Sequence, residues 1–318
     1  MTYDRATIDD ALSQLRGLPG EYGVSLATLV RHRGATVAEQ YAPTMSPSTQ
    51  LISWSMAKTV VQALLGICVH KGLLSLDQPA PVEAWQHDER ATITIRQLVH
   101  MSSGLRFAEE YVDASSSDVI EMLFGSGQDD VAGFAAGFPL DHTPGTRWSY
   151  SSGTSNILAR IIGDAVGGGR ADFDQFLNDE LFGPCGIVGA DARFDHAGTF
   201  IGSSFVYASA DQFARFGQLY VDDGRAAGRQ VLPPGWMHWT RAPAPVDMPA
   251  DERYGYGAHV WLWERRGLPG VFGAHGYETQ RIVMWPEREL VVVQLSKVPA
   301  DHVLRVDEQL VRIVGAFT

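Results

Sequence analysis

The sequence predicts a mixed α/β (α+β) fold in which one antiparallel sheet is assembled from both ends of the chain around an inserted helical region. Three observations predict it. Strand-like segments gather near the start and again near the end, helical periodicity fills the middle, and an amphipathic helical pattern stands at each extremity. In residues 5–16, Ile8, Leu12 and Leu15 share one helical face and Gly17 ends the pattern. Val24 to Val30 and Ala35 to Tyr41 read as strands joined in hairpin fashion at Arg33-Gly34, and Pro43 to Ser48 as a loop. Met56 to His70 is helical, with Val60, Val61, Leu64, Leu65 and Cys68 as a wide apolar face and Gly72 as its stop. From Ser75 to about Phe200, short helical patterns alternate with glycine- and serine-rich connections such as Gly125-Ser126-Gly127 and Gly167-Gly168-Gly169. Strand signals return at Gly257 to Trp263, Thr279 to Trp285 and Leu290 to Leu295, and Val303 to Val314 forms a closing helix.

Composition narrows the function. With 318 residues, 45% of them hydrophobic and 19% charged, the chain has the make-up of a soluble globular protein that buries a full-sized core. A net charge of −12 argues against nucleic acid or an anionic membrane as partner. The first ten residues are acidic and lack the apolar core of a secretory signal, and the longest apolar stretches are too short to span a bilayer. Cys68 and Cys185 are the only cysteines, and two inert buried thiols without an export signal lead us to expect a cytoplasmic protein. No Gly-x-Ser-x-Gly elbow, His-Glu-x-x-His zinc motif or phosphate-binding glycine pattern occurs.

The chemistry starts from Ser53-Trp54-Ser55-Met56-Ala57-Lys58. A serine hydroxyl needs a base to become a nucleophile. At the start of a helix, a spacing of three places Ser55 and Lys58 on one face within hydrogen-bonding reach. The Ser55 N–H then lies at the positive helix end, where it can help hold an oxyanion. Burial in an apolar cleft and a nearby cation would lower the lysine pKa toward neutrality. The chain has only three lysines, Lys58, Lys71 and Lys297, and only Lys58 completes the motif. Spacing alone serves equally well for a helix-capping serine beside a lysine whose stem lies along the apolar face.

The string Ser55 to Val61 resembles the first motif of the serine β-lactamase and D,D-peptidase superfamily. Gly72-Leu73-Leu74-Ser75-Leu76-Asp77-Gln78-Pro79 and the segment Thr94 to Leu105 resemble its class C branch, and within it the 6-aminohexanoate-dimer hydrolases and family VIII carboxylesterases. The likeness runs from about residue 20 to the end. It implies a β-lactamase/transpeptidase-like fold: a five-stranded antiparallel sheet flanked by the terminal helices (residues 1–72 and 205–318) with an inserted all-α domain (73–204), and the site in the cleft between them. The superfamily's Tyr-x-Asn motif falls on Tyr150-Ser151-Ser152, which makes Tyr150 the proton shuttle beside Lys58 and leaves the shorter Ser152 at the asparagine position. Tyr150 also reads as an ordinary domain-interface aromatic. The third motif, Lys-Thr-Gly on a late strand, falls on His275-Gly276-Tyr277 within Gly273 to Tyr277. There a histidine-glycine pair replaces the lysine, the glycine lets substrate lie against the strand, and the Tyr277 N–H is the second oxyanion donor. His275 has a purely structural reading too. Glu109-Glu110-Tyr111 resembles the substrate-covering loop of the oligomer hydrolases, with Tyr111 either touching substrate or serving as a plain loop aromatic.

The resemblance implies a serine hydrolase that needs no cofactor and no metal, working through an acyl-enzyme on small carboxylic esters or linear amides. The lysine-free third motif lowers the expectation of β-lactamase or D,D-peptidase activity. A catalytically silent binding or scaffold relative is the alternative of another class.

Overall fold

The computed structural model describes residues 3–110 and 117–317. Helix α1 (Arg5–Arg16) starts on an Asp4 cap whose side chain accepts from the Thr7 N–H, and it buries Ile8, Leu12 and Leu15. Strands β1 (Val24–His32) and β2 (Ala35–Tyr41) follow, joined where Arg33 and Gly34 have φ of 53° and 74°. Two successive left-handed residues give the turn that matches strand twist. After the two-residue strand β3 (Leu51–Ile52) and a single 3₁₀ turn over Trp54–Met56, the chain enters helix α2 (Ala57–His70). This helix ends as its sequence predicts. Gly72 takes φ 71°, its N–H reaches the Val69 carbonyl, and the Leu73 N–H reaches that of Cys68.

The middle is built from short helices: α3 (Ile95–Val99), α4 (Asp118–Phe124), α5 (Val131–Ala136), α6 (Ser152–Val166) and α7 (Arg170–Phe176). Helix α6 packs against α2, α3, α5 and α7, so it joins α2 to the helical layer. Strands β4 (Asp191–Ala192) and β5 (Val206–Ala208) form a small sheet with β3. Then come α8 (Ala210–Val221), the hairpin β6 (Arg225–Ala226) and β7 (Arg229–Gln230), and α9 (Trp236–Arg241). The last elements are β8 (Gly255–Tyr256), β9 (Trp261–Leu262), β10 (Phe272–Gly276), β11 (Gln280–Trp285), β12 (Leu290–Lys297) and α10 (Val303–Gly315).

The main sheet runs β2-β1-β12-β11-β10-β9-β8, antiparallel at every pairing, and the two ends of the chain meet where Val24 pairs with Lys297. Side chains alternate across a strand, and here both faces are covered. Leu290 and Val292 of β12 face α1 and α10, whereas Val291, Val293 and Leu295 face the core that contains α2 and α8. That two-sided burial explains why Leu290 to Leu295 reads as an almost unbroken apolar run. On α10, Val306, Leu310, Ile313 and Val314 are fully buried, each contributing roughly 1.5–3 kcal/mol. Among the described residues, no helix is long and apolar enough to cross a membrane, and both cysteines are free and buried.

The structure corrects the expected architecture in three places. The sheet has seven strands rather than five, because β8 and β9 add two residues each at one edge. Strand β9 lies within the span Gly257 to Trp263 read as a strand, but only Trp261 and Leu262 of it pair, and β8 just before it is too short to show alternation in sequence. Strand β10 escapes the propensity reading because Gly273, Ala274 and Gly276 have little preference for extended structure. The inserted region is not all helical either, since β4 lies inside residues 73–204 and pairs with β5.

Candidate active site

The turn that carries Ser55 is held in an unusual conformation. Trp54 has φ 44°, a left-handed value that costs a bulky residue about 1–3 kcal/mol. Its neighbours pin it there. The Ser53 hydroxyl lies 2.9 Å from the Trp54 carbonyl and 3.1 Å from that of Ser204, and accepts from the Val206 N–H. The Ser53 N–H donates to the Val206 carbonyl, and the Trp54 indole reaches Glu278 at 3.4 Å and packs edge-on against Tyr277. Ser55 is thereby presented just ahead of α2, two residues before its first residue.

Lys58 follows one turn later, and the local spacing does what the sequence predicts. Its Nζ donates to Ser55 Oγ at 2.9 Å, to Ser152 Oγ at 2.9 Å and to the Ser203 carbonyl at 3.0 Å. An ammonium has three protons, and all three are placed. Lys58 is 2% exposed. Burial lowers its pKa to about 8, against the opposing pull of Glu109. The expected neighbouring cation is therefore replaced by a carboxylate, and desolvation alone does the lowering. The nearest histidine offers no positive charge: His259 bonds the Val99 carbonyl through Nδ1 at 2.7 Å and Ser155 Oγ through Nε2 at 2.9 Å, and burial lowers its pKa to about 3.

Ser152, weakest of the transferred motif positions in reach, stands in direct contact with Lys58 because it is the first residue of α6. A longer side chain is unnecessary there. Behind it sits Glu109, whose Oε2 accepts from the Ser152 N–H at 2.7 Å and whose Oε1 accepts from the Ser152 hydroxyl at 2.5 Å. A carboxylate at a helix N-terminus is favourably placed. Burial nevertheless raises the Glu109 pKa, with Lys58 and the two Ser152 hydrogen bonds opposing the rise. Lys58, Ser152 and Glu109 thus form a chain of hydrogen bonds from a buried base to a buried acid. The sequence reading assigned Glu109 no role. The one available signal is the rule that a buried lysine needs a counter-ion, and nothing local ties residue 109 to residue 152. Asn156, one turn further along α6, accepts from the Ser203 N–H at 3.0 Å and so ties α6 to the residue whose carbonyl Lys58 uses.

Tyr150 lies in the same pocket, with its ring centroid 4.9 Å from Lys58 Nζ, tilted against Trp148 and Trp261 and edge-on to Tyr256. Across the pocket runs β10. His275 lies flat on Trp261, edge-on to Tyr254, and its Nε2 accepts from the Trp263 indole at 3.0 Å. The proton therefore resides on Nδ1, and burial holds the imidazole well below its usual pKa. His275 is a neutral wall residue, and it does not supply the positive charge that a lysine would. Gly276 also meets a constraint within the protein itself. A Cβ there would lie 2.4 Å from the Ser53 carbonyl oxygen, so glycine lets the turn of residues 53–55 dock on the strand. Tyr277 follows in the cavity lining, at a turn where Glu278 and Thr279 take φ of 55° and 65°. Tyr111 lies outside the described residues.

These groups border a cavity of about 420 Å³ whose lining includes Ser55, Glu109, Tyr150, Trp261, His275 and Tyr277. Among the described residues, no three His, Cys, Asp or Glu side chains gather as metal ligands.

The β-lactamase family profile matches residues 14–316. This chain belongs to the β-lactamase family. A 6-aminohexanoate-dimer hydrolase from Paenarthrobacter ureafaciens is 24% identical over 294 residues, covering 86% of this chain and 72% of that protein. Among solved structures, a Bacillus anthracis protein provisionally described as a 6-aminohexanoate-dimer hydrolase superposes with a TM-score of 0.81 at 19% identity, over 94% of this chain and 81% of its own. A family VIII carboxylesterase superposes with a TM-score of 0.70 at 13% identity, over 97% of each chain. The β-lactamase-family fold is therefore shared with proteins named for amide and for ester hydrolysis, and the family is one of serine hydrolases.

Proposed function

We propose that this β-lactamase-family member hydrolyses small carboxylic esters or linear amides through an acyl-enzyme on Ser55. The observation that carries the reading is the 2.9 Å contact between Ser55 Oγ and the amine of a fully buried Lys58, at the edge of a cavity. With its pKa near 8, Lys58 has a sizeable neutral fraction in mildly alkaline solution. Neutral Lys58 takes the Ser55 proton as Oγ attacks the carbonyl carbon. The ammonium so formed is stabilised through Ser152 by Glu109. The negative charge on the carbonyl oxygen falls to the N–H groups of Ser55 and Tyr277. Tyr150, beside Lys58, passes the proton to the departing alkoxide or amine, and water then releases the acid by the reverse route.

Ester substrates are favoured over β-lactams because His275 is neutral where a lysine would hold a substrate carboxylate. Linear amides remain the second reading, supported by the amidase relative. Incubation with a short p-nitrophenyl ester, a linear amide and a β-lactam, each followed by intact-mass measurement, tests the proposal. A mass increase of one acyl group on Ser55 with the ester, and none in Ser55→Ala, is expected. Undiminished turnover by Ser55→Ala refutes it.

A further inference from the structure

Behind the Gly276–Tyr277 peptide lies a buried charge network that none of the steps above uses. Arg281, on β11, faces His275 across the ladder, and its side chain is 6% exposed. Its Nη1 donates to the carbonyls of Gln280 at 2.9 Å and Gly276 at 3.3 Å. Its Nε and Nη2 donate to Asp307 at 3.1 and 3.4 Å. Asp307, on α10, is fully buried and also accepts from the Tyr254 hydroxyl at 2.5 Å. Burying two charges is costly, and a pair of well-packed apolar residues often serves stability as well. The network therefore calls for a role besides holding α10 to the sheet.

We propose that Arg281, held by Asp307, is the positioning residue of the oxyanion site: it clamps the Gly276 carbonyl and so aims the Tyr277 N–H. The two groups belong to one peptide. In a planar trans peptide the C=O and N–H point in opposite directions, so fixing the oxygen fixes the direction of the hydrogen. A guanidinium stays charged throughout the usable pH range, and its fork reaches the carboxylate and the carbonyls together. A hydrogen bond accepted by the peptide oxygen also polarises the N–H at the other end. The following peptides are fixed in turn. Gln280 Nε2 donates to the Tyr277 and Glu278 carbonyls at 3.1 and 3.3 Å, and Ser296 Oγ reaches those of Glu278 and Thr279 at 2.7 and 3.0 Å. The Tyr277 peptide is thus held from both sides, with two left-handed residues in the turn that follows. Arg281 does not touch substrate in this scheme; it acts through backbone.

The inference rests on the acyl-enzyme reading, and the experiment separates the two. Active sites are counted by labelling with a fluorophosphonate, and ester hydrolysis is expressed per labelled site. Arg281→Lys keeps the charge and loses the fork. The double variant Arg281→Gln/Asp307→Asn removes both charges, so no lone ion is left buried. In each, kcat per site should fall about tenfold or more with KM within about threefold. Affinity for a boronic acid that forms a tetrahedral anion on Ser55 should fall in step with kcat. A lower melting temperature with unchanged kcat per site in either variant overturns the positioning role. Failure of the unaltered protein to label on Ser55 overturns the acyl-enzyme reading instead.

Discussion

Replacing Glu109 by glutamine removes one negative charge while keeping an oxygen that can accept from Ser152. Lys58 Nζ meets Ser152 Oγ at 2.9 Å and that hydroxyl meets Glu109 at 2.5 Å, so the carboxylate stands about 5 Å from the ammonium. At an effective dielectric constant of about 20, the attraction is ~3 kcal/mol, equivalent to about two pH units on Lys58. Burial already pulls the lysine down to about 8 against that attraction. With the carboxylate gone the pull is unopposed, and Lys58 titrates lower still. The base must be neutral to accept the Ser55 proton, so kcat/KM for a short p-nitrophenyl ester should rise with pH and level off above about 8. In Glu109→Gln the rising limb should move to lower pH by about one to two units, with a lower plateau because a weaker base takes the proton. A pH–rate profile of both proteins measures this directly. A limb that stays in place or moves upward refutes the assignment of Lys58 as the base tuned by Glu109.

Gly276→Ala forces a Cβ to within 2.4 Å of the Ser53 carbonyl, so strand and turn must part. The expected cost is about 1–3 kcal/mol of stability with a larger loss of acylation rate, read by thermal unfolding and Ser55 labelling; wild-type labelling would exclude the docking role. His100, His259 and His275 are all buried and held below the ordinary value of 6.5, His100 at about 4 and His259 at about 3. Because the folded pKa values are depressed, the unfolded chain binds protons first as pH falls, and stability present above 6.5 is lost progressively below it. At pH 5 His100 and His259 should each cost about 2 kcal/mol, with His275 acting in the same direction, so denaturation midpoints should drop steeply between pH 6.5 and 5. A flat stability profile over that range would contradict the neutral buried histidines.

Local features were legible in the sequence and long-range ones were not. Helix α1, the hairpin of β1 and β2, and the Gly72 stop follow from residues within a few positions of one another, and the structure places them as read. Ser55 and Lys58 meet because helical spacing alone brings them together. Tyr150 and Ser152 reach them only through the packing of α6 on α2, which spacing cannot disclose and resemblance supplied. Glu109 had no signal in its neighbourhood, since its contact lies 43 residues away. Nothing in the sequence singled out Arg281 or Asp307, which become a buried pair only when the sheet and α10 close over them. Gly276 was recognised as special, but its contact with the Ser53 carbonyl was not foreseen, because that approach is a tertiary fact.

The pairing of residue 24 with residue 297 has a consequence for how the protein comes into being. Ser55, Lys58 and Tyr150 leave the ribosome long before Gly276, and β10 is the surface on which the turn of residues 53–55 rests. The segments bearing these three residues can thus be synthesised while their support is still missing. Closing so distant a pairing is slow compared with forming local helices. If Ser55 is the acylated residue we propose, it should be inert on a nascent chain, and reactivity toward an acylating probe becomes a timer for completion of the sheet.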